Sequence, residues 1–132
     1  MRPLEGLTVV ALEQAVAAPL ATRHLADLGA RVIKIESAPD GDPYRYFAPD
    51  PAFSFNFAHL NRNKESLVLD LKAPKGKEIC LELLEKADVF VENFRPDTAK
   101  RLGCCSGRLV WALASPTSCR SWLRVTPRAS AS

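Results

Sequence analysis

Leu7-Thr8-Val9-Val10-Ala11-Leu12 and, after one helix, Arg31-Val32-Ile33-Lys34-Ile35-Glu36 are the two stretches that decide the fold. The first is short, apolar and partly β-branched, the pattern of a strand covered on both faces of a parallel sheet, and the second is a strand that is largely apolar with charged interruptions. Between them Pro19 falls where the first turn of a helix tolerates it. Leu20, His24, Leu25 and Leu28 follow at helical spacing, and Gly29 ends the run. The unit is βαβ, for which a right-handed crossover is expected.

Working outward, Ser37 to about His59 reads as a long irregular stretch. It holds Pro39, Gly41, Pro43, Pro49 and Pro51 among Tyr44, Tyr46, Phe47, Phe53, Phe55 and Phe57. Aromatics in such number argue for packing, since disordered linkers are poor in them, and loops of this length in compact domains are usually functional. Ser66–Leu71 is the predicted third strand. Pro74 opens a helix whose apolar stripe is Ile79, Cys80, Leu83 and Leu84. Asp88–Glu92 is the fourth strand, and a short helix over 96–102 ends at Gly103. The order defines an α/β protein with an incomplete Rossmann-like open parallel sheet.

The charge of this 132-residue chain is unevenly spread. From Met1 to Gly103, 14 Lys and Arg face 15 Asp and Glu, whereas the remainder carries four Arg and no acid, so the net +3 comes from the tail. That tail lacks Lys and any dense Arg cluster, which argues against a nucleic-acid partner. Cys80, Cys104, Cys105 and Cys119 show no paired zinc spacing. Glu5, Glu13 and Gln14 interrupt the pattern of a signal peptide, and no apolar run reaches the roughly 20 residues of a membrane span. A cytoplasmic location with no membrane partner is the expectation. Beyond Gly103 the composition shifts to Ser, Ala, Pro, Thr and Trp; Leu109–Leu113 is the one stretch with strand character, and nothing after it has a period.

Glu36 ends the second strand where dinucleotide folds place an acid on a ribose hydroxyl. The first strand-to-helix loop, Glu13-Gln14-Ala15-Val16-Ala17-Ala18-Pro19, has no Gly to admit a pyrophosphate, and no P-loop is present, so nicotinamide and ATP readings fall away. His24 and His59 assemble into no metal or nucleophile pattern; His24 reads as a packed helix residue. Residue types and spacing alone stop at a globular α/β domain.

Five ordered motifs carry the reading further. They are Arg2-Pro3-Leu4-Glu5-Gly6; the run from Leu25 to Glu36; Gly41-Asp42-Pro43; the run Leu60-Asn61-Arg62-Asn63-Lys64-Glu65-Ser66 with Leu69-Asp70-Leu71-Lys72; and Ala87 through Pro96. Together they resemble the N-terminal part of the large domain of family III CoA-transferases (CaiB/BaiF type), a group that also includes 2-methylacyl-CoA racemases. The resemblance implies a Rossmann-type domain that takes coenzyme A as substrate, with no covalently bound cofactor, in an interlocked homodimer acting on a CoA thioester and a carboxylic acid. It places CoA contacts at Val16 and Ala17, at Leu69, Asp70, Leu71 and Lys72, at Asn93, Phe94 and Arg95, and at Arg101. One departure stands out: many members carry Arg after the Ile-Glu of the second strand, where it meets the adenosine, and this chain has Ser37.

In that family a downstream aspartate attacks the acyl-CoA thioester, giving a mixed anhydride and then an enzyme-bound CoA thioester. No residue of this chain aligns with it, so no catalytic residue and no metal ligand is assigned. The expectation is a fragment, inactive alone, in which 1–103 is a partial CoA-binding α/β domain and 104–132 a disordered tail outside the family's pattern, produced by a frameshift. A racemase fragment and a non-catalytic CoA-binding or dimer-interfering protein are the alternatives.

Overall fold

The computed structural model describes residues 1–47 and 53–94 together with the backbone of 110–113 and 122–125. Strands β1 (Thr8–Leu12), β2 (Arg31–Ser37), β3 (Lys64–Leu69) and β4 (Val89–Glu92) form one all-parallel sheet in the order β3-β2-β1-β4. Val10 stands opposite Ile33 on one side and Phe90 on the other, so β1 is central. Strand order reverses between β1 and β4, the place where open α/β sheets hold their ligands.

Helix α1 (Ala17–Asp27) covers one face of the sheet and α3 (Pro74–Lys86) the other. Alternation along each strand sorts the side chains. Val10, Leu12, Ile35, Leu69 and Phe90 meet Cys80 and Ala87 on the α3 face. Val9, Ala11, Val32 and Val91 meet Ala18 and Ala26 on the α1 face.

The buried side of α1 differs from the expected stripe. Ala18, Pro19, Thr22, Arg23 and Ala26 face inward, whereas Leu28 is 46% exposed and His24 is exposed rather than packed. Ala18 and Ala26 let the helix lie close on the sheet, and Leu25 is partly buried against the same core. The stretch read as irregular also contains order. A 3-10 turn spans Pro43–Arg45, and α2 (Phe55–Asn61) starts at Ser54, whose hydroxyl accepts the Phe57 N–H at 3.2 Å. This is the usual side-chain cap of a helix start. Phe57 packs under Arg45, whose guanidinium lies 3.9 Å from the ring centroid, but Phe47, Phe53 and Phe55 are mostly exposed.

β3 begins and ends two residues earlier than predicted. Asn63, in the left-handed region at φ 63°, starts it, and the Asp70 carboxylate accepts the Lys72 N–H at 2.9 Å to turn the chain away after Leu69. In the tail, Val110–Leu113 (β5) pairs antiparallel with Trp122–Val125 (β6). The second of these strands has no counterpart in the sequence reading, and both segments carry the β-branched and aromatic residues that suit a strand. The helix predicted over 96–102 lies outside the described residues.

Candidate ligand cleft at the carboxyl edge of the sheet

At the C-terminal ends of β1, β2 and β3 lies a cleft of about 350 Å³ lined by Leu12, Ser37, Ala38, Leu69, Asp70, Leu71, Lys72 and Phe94. Each strand contributes its last residue, because the sheet stops there and the loops diverge. Ser37 and Leu69 are paired across β2 and β3, so the floor is rigid. The Asp70 turn sets Leu71 and Lys72 on the rim. Lys72 is exposed and makes no ion pair with any described residue.

The structure therefore brings together five residues that the resemblance implied: Leu69, Asp70, Leu71, Lys72 and Phe94. Val16 and Ala17 do not line the cleft; they open α1, where Val16 supplies no capping side chain to the first-turn N–H groups. Asn93 is also absent from the lining. Its amide is engaged elsewhere: Oδ1 accepts the Gln14 N–H at 3.0 Å while Nδ2 donates to the Gln14 carbonyl at 2.8 Å. Arg95 and Arg101 lie outside the described residues. Leu12 and Ala38 were missed by sequence reasoning, although the rule that parallel sheets bind at their carboxyl ends points at Leu12, the last residue of the first strand. Ser37, noted only as a departure, is in the lining.

Behind the cleft, on the α1 side, is a second feature that no sequence pattern announced. Glu13, Glu36 and Asp42 meet Lys34, Lys64 and Arg45 in one connected cluster, three carboxylates against three cations. Lys34 Nζ donates to Asp42 at 2.7 Å and to the Glu13 carbonyl at 3.4 Å. Lys64 Nζ donates to Glu13 at 2.7 Å, to the Pro19 carbonyl at 2.9 Å and to Asn61 at 3.1 Å. Thr22 donates to the same Glu13 carboxylate at 2.8 Å. Arg45 forks onto Glu36 with two bonds of 2.7 Å, and Ser66 and the Asp42 N–H complete that carboxylate.

Burial disfavours the charge on Glu36, yet the hydrogen bonds from Arg45, Ser66 and Asp42 outweigh it and hold the carboxyl at about 2. Burial dominates at Lys64 and brings its ammonium down to about 8 despite the Glu13 partner. Glu36 is thus saturated with donors and has no free oxygen for a ribose, in agreement with the missing glycine loop. Gly41, at φ 78°, sits against it; a Cβ there would come within 2.7 Å of the Glu36 carboxylate.

The motifs also lock onto one another. Asp27 receives Arg62 and Asn63, Arg31 meets Glu65 at 2.8 Å, and Glu36 receives Ser66. The run from Leu25 to Glu36 and the run from Leu60 to Ser66 are two halves of one interface between β2 and β3. At β4, Asp88 takes the Thr8 N–H at 2.9 Å, so β1 is tied at its start by Asp88 and at its end by Asn93. Among the described residues no group of His, Cys, Asp and Glu is arranged to hold a metal ion, and no helix is long and apolar enough to cross a membrane.

These features define an α/β domain with a cleft at the carboxyl edge of an open parallel sheet. Residues 4–110 match the model of CoA-transferase family III, and the chain belongs to that family. The match runs past Gly103 into the segment that the sequence reading placed outside the pattern. Among relatives, the acetyl-CoA:oxalate CoA-transferase of Acetobacter aceti is 46% identical over 104 residues, covering 76% of this chain and 26% of its own length. The succinyl-CoA:glutarate CoA-transferase of Mus musculus is 42% identical over 105 residues, covering 78% and 24%. A crystal structure of a hypothetical protein from Mycobacterium tuberculosis superimposes with a TM-score of 0.74 at 41% identity, over 80% of this chain and 29% of that one. A CaiB/BaiF family protein from Brucella suis gives 0.73 at 37% identity, over 80% and 29%. The chain spans about a quarter of the length of the curated relatives it matches.

Proposed function

We propose that this chain carries the CoA-holding part of a CoA-transferase that moves CoA from a thioester onto a carboxylic acid. The observation that carries the reading is the cleft itself. Five family-implied residues, distant from one another in sequence as 69–72 and 94, line one cavity, with Lys72, unpaired among the described residues, on its rim. The apolar lining of Leu12, Leu69 and Leu71 suits a flat or aliphatic portion of the ligand, and Lys72 suits a phosphate. The uncapped first turn of α1 at Val16 and Ala17 offers backbone N–H donors to an anion.

In this reading Arg95 and Arg101 add cations to the same ligand, the aspartyl intermediate forms on a residue outside this chain, and the chain alone binds CoA without turning it over. A cytoplasmic, interlocked homodimer is the assembly that the reading carries for the intact protein. CoA is a substrate and not a resident cofactor.

The test is calorimetric titration of CoA into the intact chain and its Lys72→Ala variant. Saturable one-site binding is expected, weakened about tenfold in the variant, the loss of one charge-assisted hydrogen bond. No saturable heat with the unaltered chain, or equal affinity for the two proteins, would overturn the assignment of this cleft.

A further inference from the structure

Asn93 was grouped with the ligand contacts, yet both ends of its carboxamide are committed to the main chain of one residue, Gln14. Gln14 leaves β1 at the point where strand order reverses, and the next residue, Ala15, has φ 63°. A left-handed conformation is uncommon for a residue with a Cβ, and for Ala it is disfavoured by roughly 1–2 kcal/mol. The other described non-glycine residue with positive φ is Asn63, a type that tolerates this region. Ala15 is exposed, so no packing of its own methyl holds it there. The constraint comes from its neighbours. Glu13 is anchored in the ionic cluster by Thr22 and Lys64, Gln14 is gripped at both backbone atoms by Asn93, and Val16 already accepts the first helical bond of α1 from Leu20 at 2.8 Å. The chain has one residue in which to turn from the strand into the helix.

We propose that Asn93 is a positioning residue: it acts on the ligand through the β1 exit, by holding residues 14–16 in the left-handed turn that presents the first-turn N–H groups of α1. The proposal rests on the CoA-binding reading above for its ligand, but the turn itself is measurable without one. Strained backbone of this kind persists only where surrounding contacts over-determine it. Here those contacts come from the residues that follow two different strands, Glu13 after β1 and Asn93 after β4. A residue that touched the ligand directly would lose its contribution on truncation however the loop was built. A residue that holds the loop becomes less necessary when the loop no longer resists, and glycine at position 15 removes that resistance.

The experiment uses the full chain in four forms: unaltered, Asn93→Ala, Ala15→Gly, and the double variant. Amide exchange is followed by nuclear magnetic resonance without ligand, and CoA affinity is measured by titration. In the unaltered protein the Gln14 amide is expected to exchange at least tenfold more slowly than the neighbouring exposed Ala15 amide, because its N–H is bonded to Asn93. Asn93→Ala should abolish that protection and weaken CoA about tenfold, and adding Ala15→Gly should recover about threefold of the loss without restoring the protection. An unprotected Gln14 amide in the unaltered chain would overturn the proposal with no variant needed. So would an affinity loss in Asn93→Ala that Ala15→Gly leaves untouched. If Asn93→Ala does not fold, Ala15→Val supplies the same information, since a β-branched residue at an exposed left-handed position should weaken CoA several-fold while Asn93 is intact; unchanged affinity there would count against the proposal. Should the unaltered chain fail to bind CoA, the CoA reading falls, while the exchange data still decide whether Asn93 holds the turn.

Discussion

The two faces of the sheet are built from the same four strands and have opposite chemistry. Toward α3 the middle of the sheet is apolar, and Val10, Leu12, Ile35, Leu69, Phe90 and Cys80 form one continuous core. Toward α1 and α2 the face is mixed: Val9, Ala11, Val32 and Val91 are apolar, whereas Lys34 and Glu36 from β2 and Lys64 and Ser66 from the start of β3 lie against Asp42, Arg45 and Asn61. An apolar face is non-directional and tolerates a partner at many angles. An ionic face admits one arrangement, because each charge left without its partner is costly to bury. The difference fixes Asp42, Arg45 and Asn61 against one set of strand residues, where an oily contact would leave them free to slide.

Three consecutive residues of β2 break this comparison in graded steps, since they alternate between the faces. Lys34→Met should have the largest effect. It leaves Asp42 and Glu13 facing a side chain that cannot donate, and a loss of about 4 kcal/mol in urea unfolding is expected. Replacing the pair together, Lys34→Met with Asp42→Leu, should recover at least half of that; a double variant as unstable as the single one would mean that the network gains its stability from more than pairing. Ile35→Ala, on the apolar face, should remove about 3 kcal/mol with no dependence on pH between 4 and 8.

Glu36→Gln should have the smallest effect at pH 7, about 2 kcal/mol, and the one that depends on pH. The folded-state carboxyl is held at about 2 against 4.5 in the unfolded chain, so the ionised form contributes stability that is complete above about 4.5. As pH falls from about 4.5 towards 2 that contribution is lost, and the unaltered protein and the variant should converge. Unfolding midpoints measured stepwise across this range check it; a constant gap would show that the Arg45 fork is not the source.

The apolar half of the molecule was legible from residue order. Val9–Leu12, Val32–Ile35 and the stripe Ile79, Cys80, Leu83, Leu84 announce buried strands and a helix by their period alone. The ionic half was not. Lys34 and Glu36 read as charged interruptions of a strand, and α2 as part of a proline-rich loop. Their partners lie up to 51 residues away, as in the bond from Lys64 to Glu13, and no local pattern marks so distant a pair. The same reason explains the candidate site. Leu69 to Lys72 and Phe94 were named through motifs, and the fold put them in one cavity, whereas the role of Asn93 is visible only through its bonds to a residue 79 positions earlier.

The sequence by itself determined the parallel α/β sheet, the order of its principal elements and membership of CoA-transferase family III, because strand and helix periods and contiguous motifs are local properties of a chain. Tertiary structure alone decided which motif residues line the cleft, which are spent in the buried ionic cluster, and that Asn93 faces the backbone of Gln14. Those outcomes depend on charges and amides that satisfy each other only when separate strands are brought side by side in register.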